Sequence, residues 1–515
     1  MIISLSVLVI TIIVSGTYAL YKAQLSKNIG VNTTTHGLAY YINYVKGTDI
    51  TAATLNPSTS YEGGASSDIE FWKKDDSYDI YGKIELTVNT IGTNLSNSPA
   101  LKYAVVNNGN VLKEGSLKGT TSGSKVTILK NLYLEQTKQI YTVYVWLDNS
   151  EELGNISNES LSISVDCTAS LQKEPTAADT IISLYTSAAK VTATNNSITY
   201  NTAPSVSLMN DRLGGTTTDL DGGNIRYYGA NPNNYIYFNC SDYSNQTSST
   251  CETWRIIGVF NGKLKLIRGS QIGTYSWDNK NTSTGEESNS GKNDWTTARL
   301  MKLLNPVDYY INDNNDKDSE GNYLGYSLYY NSTSGKCYSG QNNATVDCDF
   351  TSTGIKNDET RNMIAETTYN LGGWNTFTVY PNEIYEYERG TTVYTGRLPT
   401  WTGKIALAYP SDYGYAADLN QCVNKQLNKY NDSTCTSNNW MKSIITNNGS
   451  NDGWLLTPHS NYSYIAWGVI LSGIMGGNRA YYSSYGAAPV LYLSSELGIE
   501  SGGDGSSSNP YKLSA

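Results

Sequence analysis

The sequence predicts a multidomain protein in which an N-terminal apolar signal or anchor helix is followed by an all-β immunoglobulin-like sandwich and then an α+β domain. Three observations support this order. The first 20 residues carry no charge, the next segment alternates polar and apolar residues as half-buried strands do, and the remainder mixes short helix and strand patterns with long polar loops. At 515 residues the chain has room for two or three domains. We place their boundaries at 1–23, 24–170, 171–203 and 204–515.

The first segment, MIISLSVLVITIIVSGTYAL, has the length and apolar character of a signal peptide. Small residues stand at Thr17 and Ala19, where cleavage would require them. The run is also just long enough to anchor the chain in a membrane. We therefore expect an extracellular protein at the cell surface, either secreted or membrane-anchored through this segment, with a buried core helix as the alternative.

Residues 24–170 have the pattern of a β-sandwich. In KIELTVNT, the apolar residues Ile84, Leu86 and Val88 alternate with polar ones, and Asn107-Asn108-Gly109-Asn110 has the composition of a hairpin turn. Further strand-like runs follow at 126–134, 140–146 and 161–165. Several short strands at this spacing predict an immunoglobulin-like sandwich, which we interpret as a stalk.

Residues 171–203 are predicted to connect the two larger domains. Thr176 and Asp179 have the spacing of a capping box, which predicts a short helix ending by Ala189. The polar run Thr192–Ser197 that follows predicts a hinge.

The last predicted domain mixes both types of element. Strands are expected at 234–239, 254–260 and 263–267, with Asn261-Gly262 forming the turn of a hairpin. Apolar periodicity predicts helices at about 294–304, 357–370 and 438–446.

The cysteines indicate loops closed by disulfides in an oxidising compartment. Three pairs each bracket a short Asn-, Ser- and Thr-rich segment; they are Cys240 with Cys251, Cys337 with Cys348, and Cys422 with Cys435. The alternatives are free thiols in a reducing cytosol or metal ligation, which the chain's two histidines make less attractive. Cys167 is left over, either as a free thiol or as an inter-chain link.

Composition argues against nucleic acid as a partner. The formal net charge is -10, and 16% of the residues are charged. Phosphate binding needs a basic stripe, and the sequence contains none.

One acidic segment could bind Ca²⁺, and no other cofactor is predicted. Asp316, Asp318 and Glu320 alternate ahead of Gly321, as in the first half of a calcium loop. Ser327 stands where that loop requires a bidentate Glu. The alternative is a solvated acidic loop.

Catalytic constellations are hard to assemble from the sequence, so we expect a protein that is not an enzyme. Neither His36 nor His459 accompanies a nucleophile-elbow sequence around a serine. Glu383, Glu386 and Glu388 alternate with aromatic residues; they could line a sugar groove or occupy the polar face of a strand.

The stretch Gly453–Leu493 is the leading candidate for a binding face. Two short buried strands are predicted to frame a polar loop rich in aromatic residues, which supply contact area at low entropic cost. The alternative is that these rings belong to the core. The predicted ligand-binding residues are His459, Asn461, Tyr462, Tyr464, Trp467, Asn478, Arg479, Tyr481, Tyr482 and Tyr485.

The same stretch resembles a known family. Trp454-Leu-Leu-Thr-Pro458, Ala466-x-Gly468-Val469 and Gly486-x-x-Pro489-Val-Leu-Tyr-Leu493 are similar to the closing motif of bacterial surface domains with the C-type-lectin-like, or formylglycine-generating-enzyme-like, fold. Members usually carry Arg at two positions that hold Leu456 and Ala488 here. The resemblance extends from about residue 205 to the end and implies a ligand-binding scaffold.

Two further resemblances concern the class of protein. Gly16-Thr17-Tyr18-Ala19 is similar to signal segments of Gram-positive surface and matrix proteins. Some proteins with the C-type-lectin-like fold are variable proteins of diversity-generating retroelements, and the residue types from His459 to Tyr485 are compatible with that class.

These observations predict a surface-displayed, adhesin-like protein that binds a glycan or a protein through its C-terminal loop. One alternative is a cell-envelope glycan hydrolase that uses carboxylates within residues 313–388. The other is a structural matrix or pilus-like subunit.

Overall fold

The computed structural model describes residues 23–24, 41–51, 55–151, 153–156, 158–213, 223–279, 290–310, 325–337 and 346–514. The chain divides into two compact units, Met1–Glu174 and Pro175–Ala515. Both consist mainly of antiparallel β-sheet, and the described helices are few and short. The predicted signal or anchor helix at 1–23 and the acidic residues Asp316, Asp318 and Glu320 lie outside the described residues, except for the strand residue Ala23.

The first unit contains two sheets that share one apolar core. Among its described residues, five strands form the first sheet: Ala23–Gln24, Ile50–Thr51, Tyr81–Ile91, Lys125–Tyr133 and Leu161–Ser170. Six strands form the second sheet: Ile42–Val45, Pro57–Ser58, Ala65–Lys73, Leu101–Asn107, Asn110–Ser116 and Ile140–Asp148.

The alternating pattern in KIELTVNT explains how the first unit builds its core. Ile84, Leu86 and Val88 are fully buried, and the residues between them are partly exposed. The core receives side chains from both sheets, as a β-sandwich requires. The prediction that the first domain is an all-β sandwich is confirmed as far as two packed β-sheets. In the part of this unit that the structure describes, the short α-helix Thr93–Asn97 lies between two strands.

Cys167 lies inside this core. It is free and 1% exposed, and burial raises the pKa of its thiol. A thiol without solvent access cannot link chains, so the inter-chain alternative is wrong for the folded unit.

The second unit is organised around a large sheet. In the described residues it has nine strands: Val191–Asn195, Ile198–Ala203, Leu208–Asn210, Ile225–Tyr227, Tyr235–Phe238, Glu252–Phe260, Lys263–Arg268, Ile405–Ala406 and Val490–Tyr492. The predicted turn Asn261-Gly262 joins two of these strands with positive φ at both residues, 49° and 72°, as a tight hairpin requires.

Smaller sheets surround the large one. They comprise Ser334–Cys337 with Val346–Asp349, Thr367–Asn370 with Thr400–Gly403, Gly498–Ile499 with Leu513–Ser514, and the three-stranded sheet Gly453–Pro458, Ile465–Val469 and Met475–Arg479. The helices described in this unit are Ala177–Ser187, Arg299–Leu304, Asp358–Met363, Pro381–Glu388, Pro410–Tyr415, Ser433–Ser437 and Trp440–Ile445.

The predicted connector belongs to the second unit from Pro175 onward, and residues 171–174 belong to the first. The capping box formed by Thr176 and Asp179 is present, and the helix Ala177–Ser187 follows it. The polar run predicted as a hinge is instead a β-hairpin, in which Val191–Asn195 pairs with Ile198–Ala203 at one end of the large sheet. The hinge prediction was wrong because the run contains a tight turn at Asn196-Ser197, where φ is 45° and 64°, and its Thr residues suit the strand before that turn.

The helix predicted at 357–370 is also shorter than expected. It ends at Met363, and Thr367–Asn370 forms a strand with Thr400–Gly403. The β-branched Thr367 and Thr368 favour the strand, and Tyr369 fills the core.

The three predicted disulfides are confirmed. They join Cys240 to Cys251, Cys337 to Cys348 and Cys422 to Cys435, and all lie in the second unit. Disulfides persist in oxidising compartments, which agrees with an extracellular location. No helix within the described ranges is long and apolar enough to cross a membrane.

Candidate functional site

The segment predicted as one framed loop is a three-stranded sheet with connecting turns. Ile465–Val469 is the central strand and pairs with both Gly453–Pro458 and Met475–Arg479. The closing strand Val490–Tyr492 belongs to the large sheet instead. The predicted binding residues are therefore divided between an interior side and an exposed side of a folded hairpin.

Three of the ten predicted binding residues are buried, so assigning them to ligand contact was wrong for this conformation. Trp467 is 0% exposed, His459 3% and Tyr485 4%. Trp467 packs edge-on against Phe377 at 4.7 Å between ring centroids. Tyr485 stacks on Trp454 at 4.2 Å, and burial raises the pKa of Tyr485 to about 12. These rings support the hairpin from within.

His459 stabilises a turn. Its Nδ1 accepts a hydrogen bond from the backbone N–H of Asn461 at 3.1 Å, and its ring lies 4.9 Å from that of Tyr462. Burial lowers the pKa of His459, which favours the neutral imidazole that this acceptor role needs. His459 thus shapes the turn that presents Asn461 and Tyr462.

The other seven predicted residues are all at least partly exposed to solvent. Asn461, Tyr462 and Arg479 are exposed, and the remaining ones are half-buried. Arg479 pairs with Ile465 across the hairpin, and the backbone N–H of Ala480 donates to the carbonyl of Tyr464 at 2.8 Å. We call this surface the hairpin face; its residues are Asn461, Tyr462, Tyr464, Arg479, Tyr481 and Tyr482. Asn478 precedes Arg479 on the same strand, so its side chain points to the other face of the sheet, where its amide donates to Oη of Tyr485 at 3.1 Å.

Ring contacts arrange the aromatic residues of the hairpin face in two pairs. Tyr462 and Tyr464 lie 5.8 Å apart between centroids, and Tyr481 and Tyr482 lie 4.8 Å apart. The free polar edges of such rings can hydrogen-bond while their faces stack on a ligand. Asn461 and Arg479 add amide and guanidinium donors beside them.

The loop at 372–378 adds aromatic residues that the sequence interpretation missed. The backbone N–H of Ser460 donates to the carbonyl of Trp374 at 3.1 Å, which places Trp374 beside the hairpin. Trp374 is half-buried and stacks on Tyr387 at 3.6 Å between centroids with an angle of 5°. The motif Gly372-Gly373-Trp374 was the available signal, because a Cβ on Gly373 would lie 2.4 Å from the carbonyl oxygen of Pro458.

Asn293 fixes the turn of the hairpin from another loop. Its side-chain amide donates to the carbonyls of His459, Tyr462 and Ile465 at 3.0, 2.7 and 2.9 Å. A buried amide that serves three carbonyls leaves this turn little freedom. The hairpin face is therefore presented on a pre-organised support.

Among the described carboxylates proposed for a hydrolase, Glu383, Glu386 and Glu388 have different environments. Residues 381–388 form a helix instead of a strand. Glu383 caps that helix by accepting from the backbone N–H of Tyr380 at 2.9 Å, Glu386 is exposed, and Glu388 is fully buried. Within the ranges that the structure describes, no three His, Cys, Asp or Glu side chains are grouped so as to hold a metal ion.

Comparisons with known proteins add little to these observations. No protein-family model matches the chain, and no curated protein matches it. Among solved structures, a chain described as "PBCV-1 virus capsid, quasi-atomic model" is similar at 12% sequence identity with a TM-score of 0.12. The match covers 40% of this chain and 57% of that chain. A TM-score this low carries no argument about fold or function.

Proposed function

We propose that this chain is an exported, surface-displayed recognition protein that binds a glycan or protein ligand through the hairpin face of its second unit. The single observation that carries the proposal is the pairing of exposed and half-exposed tyrosines with Arg479 and Asn461 on a rigid hairpin. Stacking rings with adjacent amide and guanidinium donors match the chemistry of sugar faces and of protein side chains. The proposal includes a C-type-lectin-like scaffold for this unit and an immunoglobulin-like stalk for the first.

The surroundings of the hairpin face support this proposal. Its turn is held by Asn293 and His459, so few degrees of freedom remain to be lost on binding. Its tyrosines bring contact area with few rotatable bonds. The disulfides in the same unit favour function outside the cell, where glycans and foreign proteins are met.

The test uses the full exported chain on arrays of glycans and proteins, with and without Ca²⁺. Replacing Tyr462, Arg479 and Tyr482 with Ala should lower the affinity for any ligand found by roughly 30-fold or more, the loss expected of a cluster of hot-spot residues. The matched control is Tyr78→Ala in the first unit, because Tyr78 is 44% exposed and Tyr462 is 47% exposed. Binding that survives the triple substitution, or that fails equally in the control, contradicts the proposal.

A further inference from the structure

Lys265 and Asp412 form a fully buried pair in the second unit. Lys265 lies on the strand Lys263–Arg268, and Asp412 lies in the first turn of the helix Pro410–Tyr415. The lysine Nζ contacts Oδ2 of the aspartate, and the two side chains are 0% and 1% exposed. Among lysine–carboxylate ion pairs between described residues, this pair is the one in which neither partner reaches solvent.

Aromatic rings enclose the lysine side of this pair. The Nζ of Lys265 lies 4.3 Å from the ring centroid of Tyr409, 5.2 Å from that of Phe260 and 5.4 Å from that of Tyr492. This environment excludes water from the nitrogen. Burial away from water disfavours the ammonium ion, and the ring faces partly offset this because they attract a cation. The neutral amine is the nucleophilic form.

The aspartate side is held by two further donors. Nη1 of Arg226 donates to Oδ1 of Asp412 at 3.0 Å, and the backbone N–H of Tyr409 donates to Oδ2 at 2.9 Å. A guanidinium fixed on one carboxyl oxygen can stabilise negative charge that develops there when the carbon is attacked.

We propose that Lys265 and Asp412 condense to an intramolecular amide, so that a covalent cross-link joins the large sheet to the helix Pro410–Tyr415. This cross-link does not depend on the proposed binding function. The Nζ–Oδ2 contact, the full burial of both groups and the donor on the second carboxyl oxygen favour it.

The reaction balances without any co-reactant. A proton first passes from the ammonium of Lys265 to the carboxylate it contacts. The neutral nitrogen then attacks Cγ of Asp412, and the oxyanion forms on Oδ1 beside Arg226. Two protons leave the nitrogen in all and both end on Oδ2, which departs as water while the C–N bond remains. Nothing is oxidised or reduced.

The protonation tendencies of the two groups agree with this order of events. Burial lowers the pKa of Lys265 to about 8 against the opposing effect of Asp412, so the free amine is accessible near neutral pH. Burial opposes ionisation of Asp412, but the neighbouring charges of Lys265 and Arg226 outweigh it and hold the pKa of that carboxyl below its usual value. The pair therefore begins as ions and needs the internal proton transfer.

The neighbouring charges remain paired after condensation. Arg226 Nε donates to Asp211 Oδ2 at 2.5 Å, and Arg389 Nη1 lies 3.2 Å from Oε2 of Glu388. Loss of one ammonium and one carboxylate thus leaves no isolated buried ion. It also removes the cost of keeping that ion pair out of water.

Mass spectrometry of the denatured, disulfide-reduced full chain tests the proposal. Lys265→Arg and Lys263→Arg have the same composition, so their masses are equal unless a bond forms at Lys265. We expect the Lys265→Arg protein to be heavier than the Lys263→Arg protein by one water. Equal masses overturn the proposal.

Tryptic digestion of the unsubstituted protein gives the second measurement, which does not depend on how well a variant folds. The cross-link should block cleavage after Lys265 and yield a branched peptide that joins the Lys265 and Asp412 segments. Finding both segments only as separate linear peptides overturns the proposal.

Discussion

The interiors of the two units differ in how many charged side chains they contain. The described core of the first unit is almost wholly apolar, and Lys73 is its single buried charged side chain. The second unit buries many charges within its described residues: Asp211, Arg226, Arg255, Lys265, Asp278, Asp294, Arg299, Lys302, Glu388 and Asp412. The disulfides also lie in the second unit, whereas the first buries a free cysteine.

The difference follows from how each unit satisfies its backbone. Long strands in the first unit pair N–H and C=O groups with one another, so its interior can be apolar. The second unit has long irregular segments, whose buried backbone groups need side-chain partners. Asn305, for example, donates to the carbonyls of Met301 and Ile405 at 3.0 and 2.8 Å and accepts from the N–H groups of Lys404 and Ile405. Polar residues inside the second unit are thus what allows its loops to be buried.

The largest expected effect comes from Asp412→Ala. The substitution leaves Lys265 buried without its partner and removes the oxygen to which Nη1 of Arg226 donates, so the free energy of unfolding of the second unit should fall by about 3–5 kcal/mol. Hydrogen exchange read by peptide should show lost protection in the second unit and none in the first. The control is Asp347→Ala, because Asp347 is 85% exposed. An equal loss of exchange protection in both units would contradict the difference between their interiors.

Removing one disulfide should have the next largest effect. Cys422 and Cys435 are 13 residues apart, and replacing both with Ser should destabilise the second unit by about 2–3 kcal/mol through the freed unfolded chain. Denaturant unfolding, monitored for each unit by hydrogen exchange of its peptides, measures this loss of stability. Reducing agent added to the unsubstituted protein should likewise leave the midpoint of the first unit unchanged. A shift of that midpoint would show that the first unit depends on these bonds.

Cys167→Ser should cause a smaller loss confined to the first unit. The new hydroxyl would enter an apolar core, and an unpaired buried hydroxyl costs roughly 1–2 kcal/mol. Cys167→Ala is the matched variant, since it lacks the hydroxyl. Thermal unfolding should rank the Ser variant below the Ala variant. The opposite rank would mean that this core accommodates polar groups as the second unit does.

The smallest effect on stability is expected at the hairpin face. Tyr462 is 47% exposed, so Tyr462→Ala should change the free energy of unfolding by less than about 0.5 kcal/mol while weakening ligand binding. Calorimetry and binding on the same sample separate the two quantities. A large loss of stability would assign Tyr462 to the core.

Features that depend on neighbouring residues could be predicted from the sequence. Alternation located Ile84, Leu86 and Val88 on a strand, Asn261-Gly262 gave a hairpin turn, and short spacings paired the cysteines. Each depends on residues a few positions apart, where local conformation dominates.

Burial at the hairpin and the buried charges could not be predicted this way. Strand Ile465–Val469 is covered on both faces, so alternation does not distinguish Trp467 from an exposed ring. Lys265 and Asp412 are 147 residues apart. No local sequence pattern indicates that a given lysine and a given aspartate are in contact.

The large sheet also determines when each unit can fold during synthesis. The first unit has its last strand by Ser170. In the second unit, Gln246 exchanges hydrogen bonds with the backbone of Leu513, 267 residues later, and Lys263–Arg268 pairs with Val490–Tyr492. Such distant pairings are slow to form. The first unit can therefore fold early during synthesis, while the second waits for residues near 513 and keeps its hydrophobic strands accessible to chaperones until then.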